Sequence, residues 1–221
     1  MTVRLLARLA LAFVSLAAAT SLVAATPANA PGQYAPRDFC TRLPGAAAFR
    51  AALSAAVGRH DGEALARLAA PGVELDFGGG AGRDALRQRM RGSDAEGRWR
   101  ALARLLRLGC AVSRSELTMP WIFAQDLGDL DPLDVLLVTG ARVPVYPRAS
   151  AIVKPVGQLS WQLVKLVEDI DPAQTFQQVQ LIGGQLTGYV ATAQLRSPVD
   201  YRLTARRSGG KWQITAFIAG D

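Results

Sequence analysis

The sequence predicts an α+β fold: an N-terminal helix-rich α+β domain completed by a C-terminal β-hairpin, with a small β-barrel inserted before the hairpin. Three observations carry this. Residues 45–108 hold apolar stripes at helical spacing around one short alternating run. Residues 143–195 break into five short β-prone runs separated by Pro, Gly, Asp and Ser, with hardly any helical periodicity. The last two β-prone runs, 200–207 and 211–218, flank Ser208-Gly209-Gly210, a good hairpin turn, and are longer than a five-stranded barrel needs.

The chain has 221 residues, half of them apolar, which is room for one sizeable core or two small ones and excludes a disordered or multi-span membrane protein. The implied division is a signal peptide over 1–30, an N-terminal α+β domain over 38–140, the barrel over 143–196 and the hairpin over 199–221. In the signal, Arg4 and Arg8 precede an apolar run over 9–23, and Ala28-Asn29-Ala30 offers small residues for cleavage. Cleavage after Ala30 would leave Pro31 as an awkward neighbour for a peptidase, so cleavage after Ala25 is its rival. The apolar run is on the short side of the roughly 20 residues a span needs, so no stable membrane span is expected once the signal is removed. Removal also takes away two arginines from a formal net charge of +7. The expected location is therefore exported, periplasmic or secreted.

Export sets how the cysteines are read. Cys40 and Cys110 are the only two, and an oxidising compartment would join them as a disulfide. No metal site is expected, because the single histidine, His60, has no ligand-spaced partner and sits in a turn beside Asp61-Gly62.

Along residues 45–70, Phe49, Leu53, Ala56 and Val57 form one helical stripe. After a break at 59–62, Ala64, Leu65 and Leu68 form a second, with Asp61 placed as its N-cap. Pro71-Gly72 predicts a stop, and Val73, Leu75 and Phe77 alternate with Glu74 and Asp76 as in a half-buried strand. Two helices leading to a strand through Ala-Pro-Gly-Val resemble the start of an NTF2-like cone. Glu74 and Asp76 share a strand face and could form a carboxylate pair for acid–base work, although such residues are more often simply the solvent side of an edge strand. The glycine run 78–82 lacks the Lys-Ser/Thr of a nucleotide loop and reads as a turn.

Two helices are expected over 83–91 and 96–108, the second with Trp99, Leu102, Leu105, Leu106 and Leu108 as its apolar stripe. Between them they carry Arg83, Arg87, Arg89, Arg91, Arg98, Arg100, Arg104 and Arg107 against few acids. Such a cluster could attract an anionic partner, with nucleic acid the least fitting one for an exported protein, but a solvated basic face in an arginine-biased sequence explains it more simply. A strand interrupted at Pro120 is expected over 115–124. Asp126, Asp129, Asp131 and Asp134 lie in an acidic loop without the spacing of a calcium site. A short apolar strand over 135–139 then leads to the barrel. In the closing hairpin, Trp212, Ile214 and Ala216 are expected to pack on the N-terminal helices.

The barrel segment resembles a bacterial SH3 domain. It opens with Val143-Pro144-Val145-Tyr146, continues through Val156-Gly157-Gln158-Leu159, Leu163-Val164-Lys165-Leu166-Val167 and Thr175-Phe176-Gln177-Gln178-Val179, and closes with Thr187-Gly188-Tyr189-Val190 and Gln194-Leu195. It departs from that family at Gln162, where Gly is usual, and at Phe176, where Trp is usual. The resemblance implies an SH3-like barrel acting as a non-enzymatic binding or targeting module in the cell envelope, with peptidoglycan or an envelope protein as partner and no cofactor. Tyr146, Trp161, Phe176 and Tyr189 are the candidate binding residues, since rigid aromatic faces bind peptides and sugars at low entropic cost. Of these, Phe176 and Tyr189 fit core packing best. The alternative is a small NTF2-like enzyme or ligand-binding domain, with its pocket in the N-terminal domain and the barrel as a targeting arm.

Overall fold

The structure is a computed structural model that describes residues 29–113 and 115–220. Apart from Asn29 and Ala30, the expected signal peptide lies outside the described residues, as does the cleavage position after Ala25. Among the described residues no helix is long and apolar enough to cross a membrane.

Helix α1 (Ala46–Gly58) buries Phe49, Leu53, Ala56 and Val57, the stripe its spacing predicts. The chain reverses at His60, whose φ is 51°, and Asp61 caps α2 (Gly62–Leu68) by accepting the Ala64 N–H at 2.8 Å. The strand that follows lies earlier than the alternation predicts. It is β1 (Ala69–Glu74), and it takes in Pro71 and Gly72 instead of stopping at them. β1 is an edge strand paired in parallel with the last strand, and an edge position tolerates a proline that has no N–H to donate. Val73 and Leu75 are buried as expected, whereas Phe77 is 61% exposed, with the Arg202 guanidinium over its ring.

Helices α3 (Arg83–Arg89) and α4 (Ala95–Arg107) follow, burying Leu86 on the first and Trp99, Leu102 and Leu105 on the second. The His60 ring stacks on Trp99 with centroids 5.1 Å apart, so the lone histidine closes over the α4 stripe. Strands β2 (Ala111–Ser113) and β3 (Glu116–Met119) come next, and the run ends at Pro120 in a 3-10 turn (Trp121–Ala124). The disulfide forms as expected between Cys40 and Cys110, with Cα atoms 5.7 Å apart, tying the entry to α1 to the exit from α4.

The closing hairpin, β11 (Arg202–Ser208) and β12 (Lys211–Ile218), turns through Gly209 and Gly210. Both glycines have positive φ, as a two-residue hairpin turn matching strand twist requires. It completes the first sheet, whose strand order is β1-β12-β11-β3-β2. Leu117, Met119, Leu203, Ala205, Trp212, Ile214 and Phe217 face the helices in one core, and the Trp212 indole donates to Pro44 O at 3.0 Å. Ala216 departs from expectation. Register slips at Thr204/Ala205 so that Thr215 is bulged out, and after the bulge Phe217 points inward while Ala216 lines the outer face with Thr204 and Arg206.

The inserted strands form a second sheet in the order β10-β4-β7-β8-β9, from β4 (Leu136–Val138), β7 (Leu163–Leu166), β8 (Phe176–Leu181), β9 (Thr187–Ala191) and β10 (Leu195–Arg196). Leu136–Val138, read from sequence as the end of the N-terminal domain, belongs to this sheet through antiparallel pairing with β7 and β10. A separate hairpin, β5 (Val143–Val145) and β6 (Gly157–Leu159), meets the sheet where Tyr146 and Tyr189 exchange hydrogen bonds of 2.9 and 2.8 Å. The arrangement is a half-barrel and not the closed barrel expected, and Pro144 in the middle of β5 supplies no N–H to extend the ladder. Gly188 sits under this junction: a Cβ there would lie 2.6 Å from Tyr146 O and 2.7 Å from Val145 Cγ1, so the close approach of β5 to β9 requires glycine.

A third apolar cluster, containing Tyr34, Trp121, Ile122, Leu137 and Leu163, joins the two sheets. The turn segment 29–34 is docked here. Asn29 is buried, and its side chain donates to Leu163 O at 2.7 Å and Ile182 O at 2.9 Å while accepting the Leu163 N–H at 2.6 Å. Gln162, the departure from the SH3 pattern, is buried beside it and donates to Asn29 O at 3.0 Å.

Candidate functional site

The carboxylates nominated by the alternating run do not converge. Strand β1 ends at Glu74, which lines an open hollow on the outer face of the first sheet together with Glu116 and Arg206. Asp76 lies in the following loop, ion-paired with Arg89 and accepting the N–H groups of Gly78 and Gly80 at 2.8 Å each. The Arg89 hydrogen bond, followed by that from Gly80, holds its carboxyl below the usual carboxylate range. Asp76 thus organises the glycine turn. The space between the helices and the sheet, where the alternative reading would place a pocket, is occupied by Leu53, Leu65, Trp99, Leu102 and Ile214. Among the described residues no cluster of His, Cys, Asp and Glu could hold a metal ion.

The four aromatic candidates divide. Tyr146, Phe176 and Tyr189 come together on the outer face of the half-barrel, all half-buried. Tyr146 meets Phe176 edge to face with centroids 5.8 Å apart, and the Tyr189 hydroxyl reaches Gln178 Oε1 at 3.4 Å. Phe176 and Tyr189, expected in the core, point away from it, because Gln177, Val179, Gly188 and Val190 take the buried parity of their strands.

Trp161 is elsewhere, in a cleft between α4 and the second sheet that is also lined by Arg104, Arg107, Leu108, Thr139, Ala193, Leu195 and Arg196. Its volume is about 340 Å³, the size of a small-molecule site. Trp161 holds a positive φ of 49°, unusual for a bulky side chain. The conformation is fixed from both sides, by its N–H donating to Gly140 O at 3.0 Å and its carbonyl accepting from Tyr34 N at 3.1 Å.

The basic face resolves into used and unused charges. Arg87 and Arg91 pair with Glu63, Arg89 with Asp76, Arg98 with Asp94 and Arg100 with Glu96, while Arg83 donates to Ala69 O. Arg104 and Arg107, exposed and one helical turn apart, make no side-chain hydrogen bond or ion pair with any described residue. Both line the cleft.

Arg196, which sequence reasoning passed over, completes it from the other side. Its side chain is only 4% exposed, pairs with Asp200 at 2.7 Å and donates to Tyr201 O at 2.5 Å. Its Nε–H has no acceptor among the described residues. Burial lowers its pKa from the usual guanidinium value, Asp200 opposes this, and Arg104 adds to the lowering. The available signal was an arginine wedged between Leu195 and the apolar pair Pro198-Val199, where a charge must find partners.

No protein family model matches the chain, and no curated protein matches it. Among solved structures it is similar to a chain named as a variant of Rd1NTF2_05, at 12% identity and a TM-score of 0.27, over 79% of this chain and 96% of that one. It is also similar to an NTF2-like protein with a cystatin-like fold from Novosphingobium aromaticivorans, at 13% identity and a TM-score of 0.28, over 77% of this chain and 75% of that one.

Proposed function

We propose that the protein is an exported, non-catalytic binding protein that holds a small ligand in the cleft between α4 and the second sheet, with the half-barrel as an SH3-like module. The observation that carries this reading is the cleft itself. It is walled from both halves of the molecule, and Trp161 is held in it in a strained backbone conformation of the kind found at ligand clamps. The N-terminal signal read from sequence and the Cys40–Cys110 disulfide support export. The binding role, in place of catalysis, draws on Asp76 being held by Arg89 and the loop amides, with Glu74 facing outward.

The test is ligand-observed NMR with a mixed panel of neutral, cationic and anionic small molecules. It is run on the protein and on Ala193→Trp, which fills the cleft from an exposed position. Binders are expected to lose their signal with the filled variant. A panel that binds both proteins equally removes the cleft as the site.

A second reading, envelope targeting through the half-barrel, is favoured by the clustering of Tyr146, Phe176 and Tyr189 on one outer face. Co-sedimentation with peptidoglycan sacculi, lost on Tyr146→Ala/Phe176→Ala but retained by Ala193→Trp, would support it. No sedimentation of the parent protein at moderate salt would sink it.

A further inference from the structure

We infer that the ligand of this cleft is a small amphipathic oxyanion: a carboxylate, sulfate or phosphate head bound by Arg104, Arg107 and Arg196, with an apolar or ring body lying against Trp161, Leu108 and Leu195. The inference rests on the reading of the cleft as the ligand site and adds the chemistry of what enters it.

Two of the three arginines have an ordinary explanation on their own. Arg104 and Arg107 lie in the last turn of α4, where cations complement the partial negative charge of the helix end. That accounts for their presence on the helix. It does not account for a third arginine brought to the same cleft from β10, buried, and carrying an N–H with no acceptor.

A buried guanidinium is costly unless its donors are satisfied, and Asp200 and Tyr201 O occupy only its two terminal nitrogens. Three arginines line the cleft and Asp200 pairs with one of them, Arg196, so the cleft carries excess positive charge. Burial lowers the Arg196 pKa and the nearby Arg104 charge adds to that lowering. An oxyanion offsets the excess charge, because its oxygens accept with charge assistance from the N–H groups of Arg104 and Arg107, which pair with no described residue.

The rest of the lining is apolar. Leu108 and Leu195 are buried, and Trp161 lines the cleft from a backbone held by hydrogen bonds on both sides. A bare inorganic anion would leave that wall unused, whereas a ligand with a flat or aliphatic body would cover it. The neutral Thr139 and Ala193 complete the rim without adding an opposing charge.

The test is isothermal titration at low salt with matched probes: benzoate, phenyl phosphate and phenyl sulfate as aryl oxyanions, benzyl alcohol as a neutral ring, and inorganic phosphate as a head without a body. Each is run on the parent protein, on Arg104→Gln/Arg107→Gln, whose exposed positions spare the core, and on Ala193→Trp. The expected result is binding of at least one aryl oxyanion, at least tenfold tighter than the neutral ring and than inorganic phosphate. The double variant weakens it at least tenfold, the filled variant abolishes it, and added salt weakens it. The aryl oxyanion that binds tightest identifies the head.

Equal binding of benzyl alcohol, abolished by Ala193→Trp, leaves the cleft as the site and overturns the oxyanion. Inorganic phosphate binding as tightly as phenyl phosphate overturns the ring body. Binding of no probe, or binding unchanged by Ala193→Trp, overturns this inference together with the reading beneath it.

Discussion

Replacing Asn29 with Ala removes three side-chain hydrogen bonds that dock the leading segment on the second sheet. Leu163 is fully buried, so its N–H, which Asn29 Oδ1 accepts at 2.6 Å, is left without that partner. An orphaned buried donor costs roughly 1–3 kcal/mol, and a lost hydrogen bond whose partner keeps another contact costs about 1 kcal/mol. Ile182 N remains 3.4 Å from Leu163 O, so that carbonyl falls in the second class. Asn29 also holds a φ of 66°, and an alanine there adds about 1 kcal/mol of left-handed strain. With about 1 kcal/mol more for the half-buried Ile182 O, the sum is about 5 kcal/mol, capped by the free energy at which residues 29–34 undock as a unit. Urea denaturation followed by tryptophan fluorescence measures it. Asn29→Gly, which loses the side chain but tolerates the backbone, is expected to cost about 1 kcal/mol less than Asn29→Ala. A change below about 0.5 kcal/mol for Asn29→Ala, the range of an ordinary surface substitution, would refute the docking argument.

On the signal-peptide reading, N-terminal sequencing of the secreted protein is expected to begin at Thr26, because cleavage after Ala30 would discard the docked Asn29, and a start at Pro31 contradicts this. Cys40→Ser/Cys110→Ser opens a loop with a sequence separation of 70 residues and is expected to lower stability by about 4 kcal/mol, read from the denaturation midpoint. A loss under about 1 kcal/mol would show that the ends of α1 and α4 are held without it. Asp76 has a folded pKa depressed below its ordinary 3.8, so its contribution is present above that value and lost as pH falls through the folded one. Asp76→Asn should therefore flatten the acid limb of stability below about pH 4, and an unchanged limb assigns acid unfolding to other groups.

What the sequence disclosed is what local spacing encodes. The stripes of α1 and α4, the Asp61 cap and the Gly209-Gly210 hairpin are each written within a few neighbouring residues. Features set by pairing across the fold were displaced. β1 sits four residues before its alternating run because β12 selects Ala69 and Glu74 as partners. Ala216 and Phe217 exchange faces because of a bulge that no periodicity announces. The candidate site shows the same division. The arginine-rich helices were visible, but which arginines are left unpaired depends on Glu63, Asp76, Asp94 and Glu96, and the meeting with Arg196 depends on a strand about ninety residues further on. The aromatic residues were visible too, yet strand parity sent three of them outward together and left Trp161 to the cleft.

The order of synthesis does not follow the order of the first sheet. Two of its three interior strands, β11 and β12, are made long after β1, β2 and β3, which they join. The helices therefore wait with one flank uncovered until Trp212, Ile214 and Phe217 arrive, whereas every strand of the second sheet is already available by Arg196. A nascent chain stopped before residue 200 would thus contain a foldable half-barrel attached to an open helical layer. Final closure is a long-range step that is slow by its topology, and during that interval the exposed apolar layer is the part of the protein most in need of a chaperone.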